Sequence, residues 1–134
     1  MRPDDQTIVN CVNELGLPSE IAALYAAASP ISGSTVPWVV EELAVFSVVE
    51  LPDALEGYRW TGPERTGIPG WSVQWVVVAQ ALGDPFFLDL GTAGPSVCFA
   101  RHGAGAWHPM EVAPSLTTFL EVLARLGLSD LRCN

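Results

Sequence analysis

The spacing of apolar residues predicts helices at both ends of the chain. Near the start, apolar residues recur at i, i+3, i+4 and i+7, the period of one helix face. They are Ile8, Cys11, Val12 and Leu15 in a first run, and Ile21, Leu24, Tyr25 and Ala28 in a second. Gly16 suits the end of the first helix, and Pro18 and Pro30 suit the start and the end of the second. A last helix is predicted from the cap residue Ser115 to Gly127, with a buried stripe of Leu116, Phe119, Leu120 and Leu123.

Apolar runs in the middle of the chain, separated by glycine and proline, predict strands. These strands cover residues 43–49, 73–80, 86–90, 97–101 and 107–112. The segments between them are predicted as a loop over 30–37, a helical turn over 52–58 with Leu55 inward, and an irregular loop over 61–70. Because short turns join the last four strands, we expect an antiparallel meander.

The predicted fold class is α+β. An antiparallel sheet of four to six strands should be packed by the amino-terminal helices and the carboxyl-terminal helix on one face. The other face is expected to meet solvent or a partner. We expect one domain over residues 1–134, because a chain of this length buries about two thirds of its unfolded surface.

One turn is specified residue by residue. The hydrophobic stretch from Val76 to Leu82 breaks at Gly83, Asp84 and Pro85 before a second predicted strand begins. Gly83 permits positive φ, Asp84 can bond nearby backbone, and Pro85 restricts φ and removes a ladder donor. We therefore predict that these three residues form the turn of a β-hairpin and have a structural role.

Composition and charge narrow the class of protein. Apolar residues make up 49% of the chain and charged residues 16%, which excludes a disordered chain. No apolar run approaches the ~18 residues of a membrane span, and the polar, acidic start does not resemble a signal peptide, so we predict a cytoplasmic protein. The net charge is −9, and every base is arginine. Because a nucleic-acid binder needs a basic face, we expect no nucleic-acid partner.

The residue types that usually carry catalysis or metal binding occur at unhelpful spacings. Cys11, Cys98 and Cys133 are too few and too far apart for a disulfide framework, and Cys11 and Cys98 lie in apolar patterns. The candidate metal ligands are Asp84, Asp89, His102 and His108. His102 and His108 are six residues apart, unlike the i, i+4 pair of a zinc protease helix or the ligands of a Cys/His finger. Turn bonding by Asp84 and strand capping by His102 explain these residues better. We expect no enzyme activity, no cofactor and no metal.

Acidic residues are concentrated in the first half of the chain. Residues 1–64 hold ten acids and two bases, whereas residues 65–134 hold five acids and four bases. The densest group is Glu41, Glu42, Glu50, Asp53, Glu56 and Glu64. Such a group favours either a solvated face or a docking surface for a basic protein. Trp38, Trp60 and Trp71 stand beside loops, where they could anchor a partner or close the loop-covered end of the sheet.

One ordered set of residues runs through most of the chain: Leu17-Pro18 with Leu24-Tyr25, Trp71, the strand 75–79, Gly83-Asp84-Pro85, Asp89, Pro95, Val97, His102-Gly103, Trp107, Val112-Ala113, and Ser115-Leu116 with Phe119-Leu120. This ordered set resembles the SMI1/KNR4 (SUKH) family over most of residues 17–126, whereas residues 38–70 match that pattern poorly.

This resemblance implies an α+β domain without enzymatic activity. Bacterial members of the family act mostly as immunity proteins that bind and neutralise a cognate polymorphic toxin, often a nuclease. We therefore expect a basic toxin domain as partner, with the acidic half facing it. A regulatory or small-molecule-binding module, using a groove between helices and sheet, is the alternative, and a hydrolase using the acidic cluster is a weaker one. Both a monomer and a homodimer are compatible with the pattern.

Overall fold

The computed structural model describes residues 5–28, 35–37, 42–103 and 106–126. Within these residues the helices are α1 (Asp5–Leu15), α2 (Ser19–Ala28) and α3 (Leu116–Leu126). The strands are β1 (Thr35–Pro37), β2 (Glu42–Val45), β3 (Trp60–Thr61), β4 (Thr66–Gly67), β5 (Trp75–Ala81), β6 (Asp84–Asp89), β7 (Val97–Phe99) and β8 (Met110–Ala113). Two 3-10 turns, Val48–Glu50 and Asp53–Leu55, follow β2.

In the part of the chain described, six strands form one antiparallel sheet in the order β1-β2-β5-β6-β7-β8. Strands β5 to β8 are consecutive in the sequence and in the sheet, so the predicted meander is confirmed. The strands β3 and β4 pair separately as a small hairpin. The α+β class predicted from the sequence is the class of the structure.

Helices cover one face of the sheet, as predicted. Along β5 and β6, alternate residues such as Val76, Phe86 and Leu88 join the core cluster that includes the helix residues Tyr25 and Leu123. Helix α3 begins with the expected cap, since the Thr118 main-chain N–H donates to Ser115 Oγ over 3.1 Å. The predicted end of this helix at Gly127 lies outside the described residues.

The opposite face of the sheet is also covered, and by chain rather than by solvent. Residues 46–74, which connect β2 to β5, place Leu55, Tyr58 and Trp71 over Val77 and Phe87. These five residues are buried in a second apolar cluster. The sheet face that was expected to meet solvent or a partner is therefore largely occupied by this connection.

Several predicted boundaries are wrong within that connection and near it. The strand expected over 43–49 ends at Val45, because Ser47 and Glu50 form a capping box that starts a 3-10 turn. The loop expected over 61–70 contains the β3–β4 hairpin, and the loop expected over 30–37 ends in strand β1. The turn expected over 52–58 is present, with Leu55 buried.

The predicted hairpin is present, but its turn begins one residue earlier and only Gly83 of the predicted Gly83, Asp84 and Pro85 lies in it. The turn is formed by Leu82 and Gly83, with φ of 53° and 79°, the positive pair of a type I′ hairpin. Asp84 and Pro85 are instead the first residues of β6, paired with Ala81 and Gln80. Proline is accepted near the start of β6, where its carbonyl accepts the Ala100 N–H, just past the end of β7, over 3.3 Å.

Candidate functional site

Three of the predicted acidic residues share one groove. Glu50, Asp53 and Glu56 line a depression of about 410 Å³ beside the two 3-10 turns. The other described lining residues are Phe46, Val49, Ala54 and Gln80. We call this depression the acidic groove. It combines negative charge with an apolar wall in the segment that covers the sheet.

A hydrogen bond from the main chain orients one of these three carboxylates, and the other two are exposed to solvent. Glu50 Oε1 accepts the Ser47 main-chain N–H over 2.8 Å, which completes the capping box and orients the carboxylate. Asp53 and Glu56 are exposed. Among the described residues, no arginine forms an ion pair with any of the three. Within the part of the chain that the structure describes, their charge is not paired with a base and can attract a cationic partner.

The described lining of the acidic groove supplies carboxylates beside apolar side chains. Its described lining contains carboxylates, one amide and apolar side chains, and it includes no serine, cysteine or histidine. Nucleophilic catalysis uses such a group together with an adjacent base. What the groove can do is hold lysine or arginine side chains, with the apolar wall against their alkyl stems.

Of the remaining predicted contact residues, only some can be placed relative to this groove. Glu64 lies exposed in the loop between β3 and β4, away from the lining. Trp38 and Glu41 lie outside the described residues, and Glu42 is in β2 with its side chain outside the description. The six predicted acids therefore do not all meet at one described surface.

The predicted tryptophan anchors have different environments. Trp71 is buried, 7% exposed, with ring centroids 5.1–5.5 Å from those of four aromatic neighbours. The neighbours are Tyr58, Trp75, Phe87 and Trp107. This position agrees with the structural alternative, in which Trp71 closes the covered end of the sheet. Trp60 is only half-buried, and the Arg65 guanidinium lies 4.8 Å from its ring centroid.

Sequence reasoning missed a second groove, of about 440 Å³, between the end of α1 and the β3–β4 hairpin. Arg59 and Arg65 line it beside Trp60, so we call it the arginine groove. The signal that pointed to it was the run from Arg59 to Arg65 in a chain that has six bases in total. The 3-10 turn at Asp53–Leu55 separates the grooves, because Leu55 lines this one and Asp53 lines the acidic groove.

The candidate metal ligands are dispersed except for one pair. Asp84 Oδ1 accepts the His102 main-chain N–H over 2.9 Å and lies 2.6 Å from His102 Nδ1. Asp89 bonds the Gly91 N–H at the far end of β6, and His108 lines a separate cleft. Within the described residues, no group of three or more His, Cys, Asp or Glu side chains is placed to hold a metal ion. The arrangement instead joins the β5–β6 hairpin to the chain after β7.

Comparison with known proteins found no matching family model, no matching curated protein and no matching solved structure. The resemblance to the SUKH family therefore rests on the ordered sequence pattern. Among the described helices, none is long and apolar enough to cross a membrane.

Proposed function

We propose that this protein is a SUKH-type immunity protein, a non-enzymatic domain that binds and neutralises a cognate bacterial toxin. The observation that carries the proposal is the acidic groove, where Glu50, Asp53 and Glu56 stand beside an apolar wall and pair with no described arginine. Such a surface is complementary to the basic face with which a nuclease toxin binds phosphate. Occupying that face would keep the toxin from its substrate.

The expected contact has two parts. The charges of Asp53 and Glu56 accelerate the encounter through long-range attraction, and they act over about 8–10 Å at physiological ionic strength. Phe46 and Val49 then provide apolar contact for the stems of lysine or arginine. Glu50 is already ordered by its bond to Ser47, so its carboxylate loses little freedom on binding.

The test uses the toxin domain encoded beside this gene and compares charge reversals. Asp53→Lys with Glu56→Lys should slow association at low salt and leave folding intact, because both side chains are exposed. Glu121→Lys with Glu111→Lys is the matched control, since these exposed acids lie on α3 and β8. The association rate is measured by stopped flow from about 50 to 500 mM salt.

Two outcomes would overturn the proposal. A gene neighbourhood without a toxin would remove the expected partner. A rate that is flat across the salt range and equal in both double variants would remove the acidic groove as the docking surface, leaving the half-buried Trp60 as the aromatic residue to test next.

A further inference from the structure

The arginine groove combines apolar side chains with two cations. Its apolar lining includes Leu15 from α1, Leu55 from the 3-10 turn and Ile68 from the segment after β4. Its volume of about 440 Å³ falls within the ~300–1,000 Å³ of small-molecule sites, which are mostly apolar with a few placed polar groups. The arginine groove is a separate site from the acidic groove, which makes the proposed toxin contact.

The backbone holds Arg59 in the wall of the groove. Its main-chain N–H donates to Leu55 O over 2.9 Å, and its carbonyl accepts the Ile68 N–H over 2.8 Å. The side chain is half-buried, and it makes no ion pair with any described acid. A partly desolvated guanidinium without a carboxylate offers its five donors to an anion.

Arg65 is placed by an unusual backbone conformation. It adopts a φ of 52°, which an arginine rarely takes, at the end of the loop that joins β3 to β4. The guanidinium lies over the Trp60 ring at 4.8 Å and reaches Glu14 Oε1 only at 3.7 Å. Both partners of this pair are about half exposed, so Glu14 screens Arg65 without saturating it.

We propose that the arginine groove binds a small organic monocarboxylate that has an apolar, preferably aromatic, body. The carboxylate would be held by Arg59 and Arg65, and the body would lie against Leu15, Leu55 and Trp60. Two arginines and one glutamate leave a net local charge of one positive unit, which matches one carboxylate better than a doubly charged phosphate. Planar guanidinium groups also suit the two oxygens of a carboxylate.

The test measures binding of 2-naphthoate to the full-length protein by calorimetry, beside two matched probes. 2-Naphthamide has the same body without charge, and 2-naphthyl phosphate has the same body with greater charge. We expect the carboxylate to bind, and the amide to bind at least about tenfold more weakly, because hydrogen bonds between charged groups contribute more than neutral ones. Arg59→Met and Arg65→Met should each lower the affinity for 2-naphthoate by about tenfold, and Glu14→Gln should raise it.

The matched control is Arg125→Met, which removes an exposed arginine from α3 and should leave binding unchanged. Melting temperatures of all variants show whether a loss of binding reflects a loss of folding. If an arginine variant fails to fold, the proposal is still tested by comparing the binding of 2-naphthoate and 2-naphthamide to the native protein. Equal binding of amide and carboxylate, no binding of either at millimolar concentration, or tighter binding of the phosphate would each overturn the proposal.

Discussion

The Tyr58 hydroxyl donates a hydrogen bond to the Gly83 main-chain carbonyl across 2.6 Å. Its oxygen also lies 2.9 Å from Oε1 of Gln80 in β5. Tyr58 belongs to the connection that covers the sheet, and Gly83 is at the tip of the β5–β6 hairpin. The bond therefore holds residues 46–74, which contain residues that line both grooves, against the β5–β6 hairpin at the centre of the sheet.

Replacing Tyr58 with phenylalanine tests this attachment. The ring packing against Trp71 and Trp107 would be kept, and only the hydroxyl would be lost. We expect the free energy of unfolding to fall by about 1 kcal/mol, the usual contribution of one hydrogen bond. Urea denaturation measures this, with Tyr25→Phe on the helical side as a comparison. An unchanged urea midpoint would show that this bond does not hold residues 46–74 against the sheet.

The same tyrosine predicts a loss of stability at alkaline pH. Burial, with a smaller effect from the Asp84 charge, raises the pKa of Tyr58 from about 10 to about 12. The folded state then holds this proton more tightly than the unfolded state. The contribution of Tyr58 to the free energy of unfolding is therefore fully present below a pH of about 10. It is lost as the pH rises from about 10 to about 12.

This alkaline decline should be shallower in Tyr58→Phe. It should not vanish there, because burial also raises the pKa of Tyr25. The measurement is the free energy of unfolding at several pH values between about 8 and 12. Equal slopes in the two proteins would contradict the assigned environment of Tyr58.

The two turn residues should respond to substitution in opposite directions. Leu82 is 56% exposed with a φ of 53°, a conformation that asparagine adopts more readily, so Leu82→Asn should stabilise by about 1 kcal/mol. Gly83→Ala should destabilise by about 1–2 kcal/mol. Its φ is 79°, and an added Cβ would lie 3.1 Å from His102 Cε1. Thermal melting of both variants gives the signs, and destabilisation by Leu82→Asn would refute the type I′ assignment.

Asp84 is expected to act through stability. Asp84→Ala removes the acceptor of two contacts with His102 and should lower the free energy of unfolding by about 1 kcal/mol. Asp84→Asn keeps an acceptor for the His102 main-chain N–H and should lower it less. Both are compared by denaturation and by toxin binding. Unchanged stability with lost binding would place Asp84 in a recognition surface.

Trp71 and Trp60 should differ in how much each stabilises the fold. Trp71→Ala should cost about 3–5 kcal/mol because it empties the centre of the aromatic cluster. Trp60→Ala should cost only about 1 kcal/mol, since it removes a half-exposed ring and its contact with Arg65. Chemical denaturation compares the two. A larger loss for Trp60 would mean that the β3–β4 hairpin stabilises the fold more than its exposure indicates.

The sequence by itself determined the elements whose patterns are local. The stripe after Ser115, the apolar spacing of α1 and α2, and the turns between β5 and β8 all depend on residues close in the chain. Those elements appear in the structure with their boundaries moved by a few residues. The α+β class followed from their order, because short turns allow only antiparallel neighbours.

Only the tertiary structure decided how residues 46–74 are used. Their glycines and prolines predict turns, but no period in the sequence says that Tyr58 and Trp71 pack on Val77 and Phe87. The acids were visible as a cluster, yet which of them share a groove depends on two 3-10 turns and on β5. Arg59 and Arg65 acquire a common environment through the β3–β4 pairing. Contacts between residues far apart in sequence are set by packing of the whole core, which local spacing does not encode.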